Sequence, residues 1–405
     1  METINIETLQ ADFDAFNISE EFGFVLEEPL TTLPDYYQIW MYLANNLTHL
    51  IESRKLRELV DKMSVLSLHL LSTHKELRLA HLALGFISSG YVWQEGQQAP
   101  AQTLPKALAL PFWLVSRRLG LPAILTYADV ILANWKLKDP TGDIDISNVD
   151  LLFSFPGGDT ARGFFIVSLL VEMAASSGLK GALMVMHALK TSDLIGIQRG
   201  LITATQSLKK MKEVFQLMHN HVDAIEFFGT LRVFLFGWRD NPLLPNGLLY
   251  EGVSDEPVSL AGSSAGQSSA VQCFDALLCI QHDDESGAFM AHMRDYMPPA
   301  HCQLIERLSA LPSLRDFIFC CSSSDLCQAY NACVSALVEL RSYHLNTVTK
   351  YVIVPSNRAH AMGCPLSGVA TVKTGTSGTS LISFLKSVRN ATKKALILET
   401  LSVSN

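Results

Sequence analysis

Residues 325–354 read DLCQAYNACVSALVELRSYHLNTVTKYVIV, and their apolar side chains return at three- and four-residue intervals through Val334, Leu337, Val338, Leu340, His344, Val348 and Tyr351. That spacing predicts a long helix with one face in the core. Arg341 and His344 fall one turn apart on the same stripe. A cation facing the core needs a fixed anion, because burying an unpaired charge costs several kcal/mol. Asp275 could supply it, as could the acid group of a cofactor. A lone core histidine is most simply a satisfied structural residue. With an arginine beside it, the face also suits a heme pocket, with His344 on the iron and Arg341 near a propionate.

Outward from this segment the same periodicity dominates. Stripes recur over residues 37–51, 55–71, 76–87 and 104–119, then over 159–176, 193–219, 224–236, 265–281 and 380–398. No run alternates long enough for a half-buried strand, so the expected class is all-α. Glycine and proline cluster in KDPTGD (138–143) and FPGGDT (155–160), which puts a boundary between a small N-terminal helical domain, 1–154, and a larger C-terminal helical domain, 155–405. Two stretches break the pattern, 237–264 and 355–379. A loop as long as the second is usually functional.

Composition narrows the class further. The chain has 405 residues, 48% of them hydrophobic and 17% charged, with a net charge of −8. That excludes overall disorder, and without a basic cluster it argues against nucleic acid or an anionic membrane as partner. Mean hydropathy is +0.22. The longest apolar runs, such as 164–173, nevertheless meet a charge before about 18 residues, so no spanning helix is expected. The acidic N-terminus does not resemble a signal peptide, and the cytoplasm is the expected location. Eight cysteines, all between Cys273 and Cys364 with no CxxC pair, suit buried thiols in a reducing compartment.

Other motifs are weaker. His219 and His221 stand two apart at a helix end and point to different sides, a poor metal pair. GSSAG (262–266) has the GxSxG form of a nucleophile elbow at Ser264, but no strand or parallel sheet surrounds it, so a flexible loop is the better reading. Tyr250 in LLYEGV fits a loose tyrosine signalling pattern. GFFIVSLLVE (163–172) and FFGTLRVFLFGW (227–238) each carry a Phe-Phe pair, and Arg232 follows the second by about one turn. Core packing explains both, as does a slot for a flat aromatic amino acid with a cation at its mouth.

Taken together, LTYADVILANW, LFSFPGGDTARGFFIVSLLVE, FFGTLRVFLFGW, GLLYEG, AGSSAGQSSAVQCFDALL, YMPPAH and LRSYHLNTVTKY resemble indoleamine 2,3-dioxygenases of the vertebrate type, in order and spacing over most of the chain. The resemblance implies a monomeric all-helical enzyme that uses heme b, ferrous in the active state. It implies insertion of O2 across the indole C2–C3 bond of L-tryptophan, giving N-formylkynurenine, with a separate electron donor to reduce the heme. No acid or base residue is implied in catalysis, O2 reacting directly at the iron. Carried over by motif, His344 is the heme ligand, and Arg341 with Asp275 stands near the heme. Tyr127, Phe164, Ser168 and Phe227 line the indole pocket, and Arg232 holds the substrate carboxylate. Ser263, Ser264 and Ala265 cover the distal side, and Thr376 of TGTSGT meets the ammonium end.

Two departures stand out. Where well-known members have GGSAG this chain has GSSAG, so Ser263 adds a side chain beside the substrate. Where some members have VPY this chain has LPF with Phe112, which leaves Tyr250 to carry any signalling role. The other functional class to weigh is therefore a heme-binding signalling or sensor protein with little turnover, acting through Tyr250.

Overall fold

Most helices form where the periodicity places them, and their ends carry identifiable stop and start signals. The computed structural model describes residues 6–361 and 380–398. The His74–Trp93 helix begins at Thr73, whose hydroxyl accepts from the Glu76 N–H while Glu76 accepts from the Thr73 N–H. Every residue from Arg78 to Trp93 is buried, which makes this helix a core pillar. Lys106–Leu119 stops at Gly120, whose φ of 69° is the left-handed turn glycine tolerates.

The C-terminal half is built on three helices in sequence, Gly158–Ala174, Ser176–Thr191 and Leu194–Phe215. Asp193 caps the last by accepting from Gly196 N–H. Leu194–Phe215 packs along both of its predecessors and along Ser324–Val348, which in turn carries Leu381–Lys394. One hydrophobic core runs from Leu9 to Ile397 and crosses residue 154 without a break. Sheet among the described residues amounts to two pairs of two-residue strands. Thr103–Leu104 runs parallel to Leu249–Tyr250, with Thr103 opposite Leu249, and Lys136–Leu137 runs antiparallel to Val149–Asp150.

Several expectations need correction. The 55–71 stripe is helical only over Leu56–Asp61, and the chain then turns until His74. The 224–236 stripe forms a π turn, Phe227–Leu231, followed by a 3-10 turn, Arg232–Leu235. The loop expected over 355–379 is helical in its first part, because the long helix continues through Thr349–Ile353 into Val354–Ala361, and residues 362–379 lie outside the described residues. Gly158–Thr191 does have the length and apolarity of a membrane span, where none was expected. In the fold it is two helices meeting at Ala175, with 56% of its most apolar window buried.

Candidate active site

A cavity of about 280 Å³ opens between the Gly158–Ala174, Leu194–Phe215 and Ser324–Val348 helices and the loop ahead of Ser269. Its lining is mostly apolar, with Phe164, Phe215, Phe227, Leu337, Leu340 and Val348 among the walls. His344 enters it from the Ser324–Val348 helix. Burial, and then the charge of Arg341, press the imidazole pKa down to about 4, so the ring is neutral near pH 7. Among the described residues it makes no hydrogen bond and touches the Phe215 ring at 5.8 Å between centroids.

Arg341 is fixed one turn earlier. Its Nη2 donates to Asp275 Oδ2 at 2.6 Å and its Nη1 to Thr392 Oγ1. The Asp275 Oδ2 also meets His282 Nε2 at 3.0 Å. Burial pushes the Asp275 carboxyl up, but Arg341 and then His282 outweigh it and hold it below the usual range. The cation that the stripe left without an anion is thus paired by a residue 66 positions away. A neutral, unbonded imidazole facing an apolar cavity, with a fixed cation beside it, is a donor set that fits heme ligated by one histidine.

Another part of the wall is aromatic. The Phe164 and Phe227 rings lie 4.7 Å apart at 39°. Asp223 caps the short Ala224–Glu226 helix by accepting from the Ile225 and Glu226 N–H groups, and Phe227 then opens the π turn that delivers Arg232. Arg232 is 4% exposed, with its guanidinium 4.9 Å from the Phe236 ring centre. Burial lowers its pKa to about 10, which leaves it charged at neutral pH. Ser168 Oγ donates to its own helix at Phe164 O, 2.8 Å away. Tyr127 donates through its hydroxyl to Glu172 Oε1 at 2.9 Å, and Ser268 donates to the same oxygen at 2.5 Å. The Gly262–Ser268 loop lies against the Arg232 segment because Gly262 has no Cβ: one there would meet Leu235 O at 2.2 Å.

With this geometry in view, the indoleamine 2,3-dioxygenase family profile matches residues 12–395. The chain belongs to the indoleamine 2,3-dioxygenase family. It is 45% identical over 400 residues to indoleamine 2,3-dioxygenase 2 of Homo sapiens, covering 97% of this chain and 98% of that one. It is 46% identical over 388 residues to indoleamine 2,3-dioxygenase 1 of Rattus norvegicus, covering 95% of each. A myoglobin of Haliotis madaka is 38% identical over 382 residues, covering 94% of this chain and 97% of that one.

Within this dioxygenase family member the structure brings most residues singled out from the sequence to one cavity. Tyr127, Phe164, Ser168, Phe227, Arg232, Ser263, Ser264, Ala265, Arg341 and His344 all line it, and Asp275 reaches it through Arg341. Thr376 lies outside the described residues. Ser264 Oγ accepts from Gly266 N–H as a turn cap. Tyr250 is fully buried, donates to Ala123 O at 2.6 Å and accepts from Trp238 Nε1 at 2.9 Å, so the fold does not present it to a modifying enzyme. His219 meets Tyr351 and Lys350, and no cluster of possible metal-binding side chains exists among the described residues. Sequence reasoning missed Glu172. It was read only as the charge that ends an apolar run, and a carboxylate inside such a run was the signal available.

Proposed function

We propose that this chain is a heme dioxygenase that inserts O2 across the indole C2–C3 bond of L-tryptophan to give N-formylkynurenine, with His344 holding heme b. Membership of the indoleamine 2,3-dioxygenase family supports the reaction. The observation that carries the heme assignment is His344, neutral and without a hydrogen bond among the described residues on the wall of an apolar cavity. Heme, when bound and ferrous, supplies the O2 chemistry.

The chain's own residues do the rest. Phe164 and Phe227 give the indole flat walls, and the apolar lining excludes water. Arg232 receives the substrate carboxylate, which a guanidinium holds by two parallel hydrogen bonds. Arg341, fixed by Asp275, offers positive charge beside the heme. Ser168 is given no proton to take, because a serine hydroxyl does not accept one near neutral pH, and its own proton is held by Phe164 O. We place this enzyme in the cytoplasm as a monomer served by a separate electron donor. The described cysteines are all free, and Cys273 and Cys333 are buried, which supports a reducing compartment.

The test is heme uptake and turnover. Reduced, heme-loaded protein given L-tryptophan and O2 is expected to form N-formylkynurenine. His344→Ala is expected to stay folded and helical, with greatly reduced heme occupancy and no product. A normal five-coordinate heme spectrum in that variant would place the ligand elsewhere.

A further inference from the structure

Glu172 is 2% exposed on a helix as apolar as GFFIVSLLVE, and among the described residues it forms no ion pair. Its Oε1 instead accepts two hydroxyls, from Tyr127 at 2.9 Å and Ser268 at 2.5 Å. Burial outweighs those two donors and raises the carboxyl pKa. The hydroxyls come from different parts of the chain. Tyr127 opens the short Tyr127–Val130 turn, and Ser268 caps the Ser269–Leu277 helix at the foot of the Gly262–Ser268 loop. A second tie, from Tyr127 N–H to Gln267 Oε1 at 2.9 Å, joins the same two segments. Both segments line the cavity, as does Glu172 itself, one turn beyond Ser168.

We propose that Glu172 is a positioning residue for tryptophan: by holding the Tyr127 and Ser268 hydroxyls on one carboxyl oxygen, it fixes the Tyr127 turn and the Gly262–Ser268 loop as walls of the substrate cavity. The inference rests on the tryptophan reading above.

The experiment compares the heme-loaded parent with Glu172→Gln, Glu172→Leu and Tyr127→Phe. It measures heme content, kcat and KM for L-tryptophan, and equilibrium tryptophan binding from the change in heme absorption. Glu172→Leu removes both hydrogen bonds and is expected to raise KM and Kd by roughly tenfold or more, with kcat and heme content close to the parent. Glu172→Gln is isosteric and keeps a carbonyl oxygen to accept both hydroxyls, so it is expected to stay near the parent. Tyr127→Phe should raise KM alone but add nothing on top of Glu172→Leu. Parental KM and Kd in Glu172→Leu overturn the proposal. So does a fall in kcat with KM unmoved, or a Glu172→Gln as impaired as Glu172→Leu. Should Glu172→Leu not fold, Tyr127→Phe combined with Ser268→Ala removes the same two bonds, and a parental KM there is equally fatal. A parent that binds heme yet makes no N-formylkynurenine overturns the tryptophan reading instead. The Glu172 tie is then judged by thermal unfolding, where additive effects of Tyr127→Phe and Glu172→Leu would sink it.

Discussion

A serine hydroxyl has no tendency to take up a proton near neutral pH, and Ser168 is therefore a poor general base. Its proton goes to Phe164 O, and its one-turn neighbours on the helix offer no histidine to take a second role. Acid–base groups contribute typically 10²- to 10⁴-fold, so Ser168→Ala is expected to keep kcat within roughly tenfold of the parent. A loss of about 10³-fold with heme content intact would restore proton abstraction at Ser168. Arg232 should behave differently. A charge-assisted pair to a carboxylate is worth about 1.5–3 kcal/mol per bond, so Arg232→Ala should lower kcat/KM at least roughly tenfold without loss of heme. Steady-state kinetics beside a heme assay check this, and unchanged efficiency would move the carboxylate elsewhere. At this scale the motif-bearing residues were legible because their chemistry is unusual on an apolar face. Glu172 was not, since its role depends on Tyr127 and Ser268, 45 and 96 positions away.

Elements pack as closely as their smallest residues allow, and the pair Ser176–Thr191 and Leu194–Phe215 shows the limit. A Cβ on Gly181 would meet Gly200 O at 2.6 Å, and one on Gly200 would meet Gly181 O at 2.6 Å. Overpacking of this kind costs typically about 1–3 kcal/mol, so Gly200→Ala should lower the urea midpoint accordingly. Because the second helix presents Met211 and Phe215 to the cavity, the variant should also hold heme less tightly. Parental stability would mean the helices can part freely. Helices of this kind were readable because their period is set by the helix itself. The 55–71 stripe misled because tertiary bonds won over periodicity: the Tyr37 hydroxyl donates to Ser67 O at 2.8 Å and accepts from Leu70 N–H at 3.2 Å, holding the stretch in an extended turn. The π turn at Phe227–Leu231, with Phe227 and Leu231 buried, is likewise a product of packing, and local spacing there reads as ordinary helix.

The whole molecule is joined across residue 154 by its core and by polar ties. Ser89 donates to Phe234 O at 2.6 Å and the Tyr127 N–H to Gln267 Oε1 at 2.9 Å. We propose that 1–154 and 155–405 are two domains that share one core and unfold together. Acid should reveal what holds the first of them. His81 and Asp129 are both fully buried, with Nδ1 and Oδ1 2.8 Å apart, and the other ring nitrogen faces Pro122 O at 3.1 Å. Asp129 also closes the Thr126 turn by accepting from the Thr126 N–H and hydroxyl, so the pair anchors Tyr127 to the central His74–Trp93 helix. Burial pushes the Asp129 carboxyl up, but His81, then Arg78 and the Thr126 N–H, hold it below the usual range. An unfolded aspartate titrates near about 3.9, so below that pH the unfolded chain binds the proton first. The pair's contribution is therefore complete above about pH 4 and is lost as pH falls through the folded value. Breaking a buried pair on one side costs about 3–5 kcal/mol, so Asp129→Asn should be less stable than the parent by that order at pH 7. Urea unfolding from pH 3 to pH 8 is expected to show that gap narrowing below about pH 4, as the parent's own carboxyl takes up its proton. A gap that stayed constant through the acid range would show that Asp129 acts by shape alone.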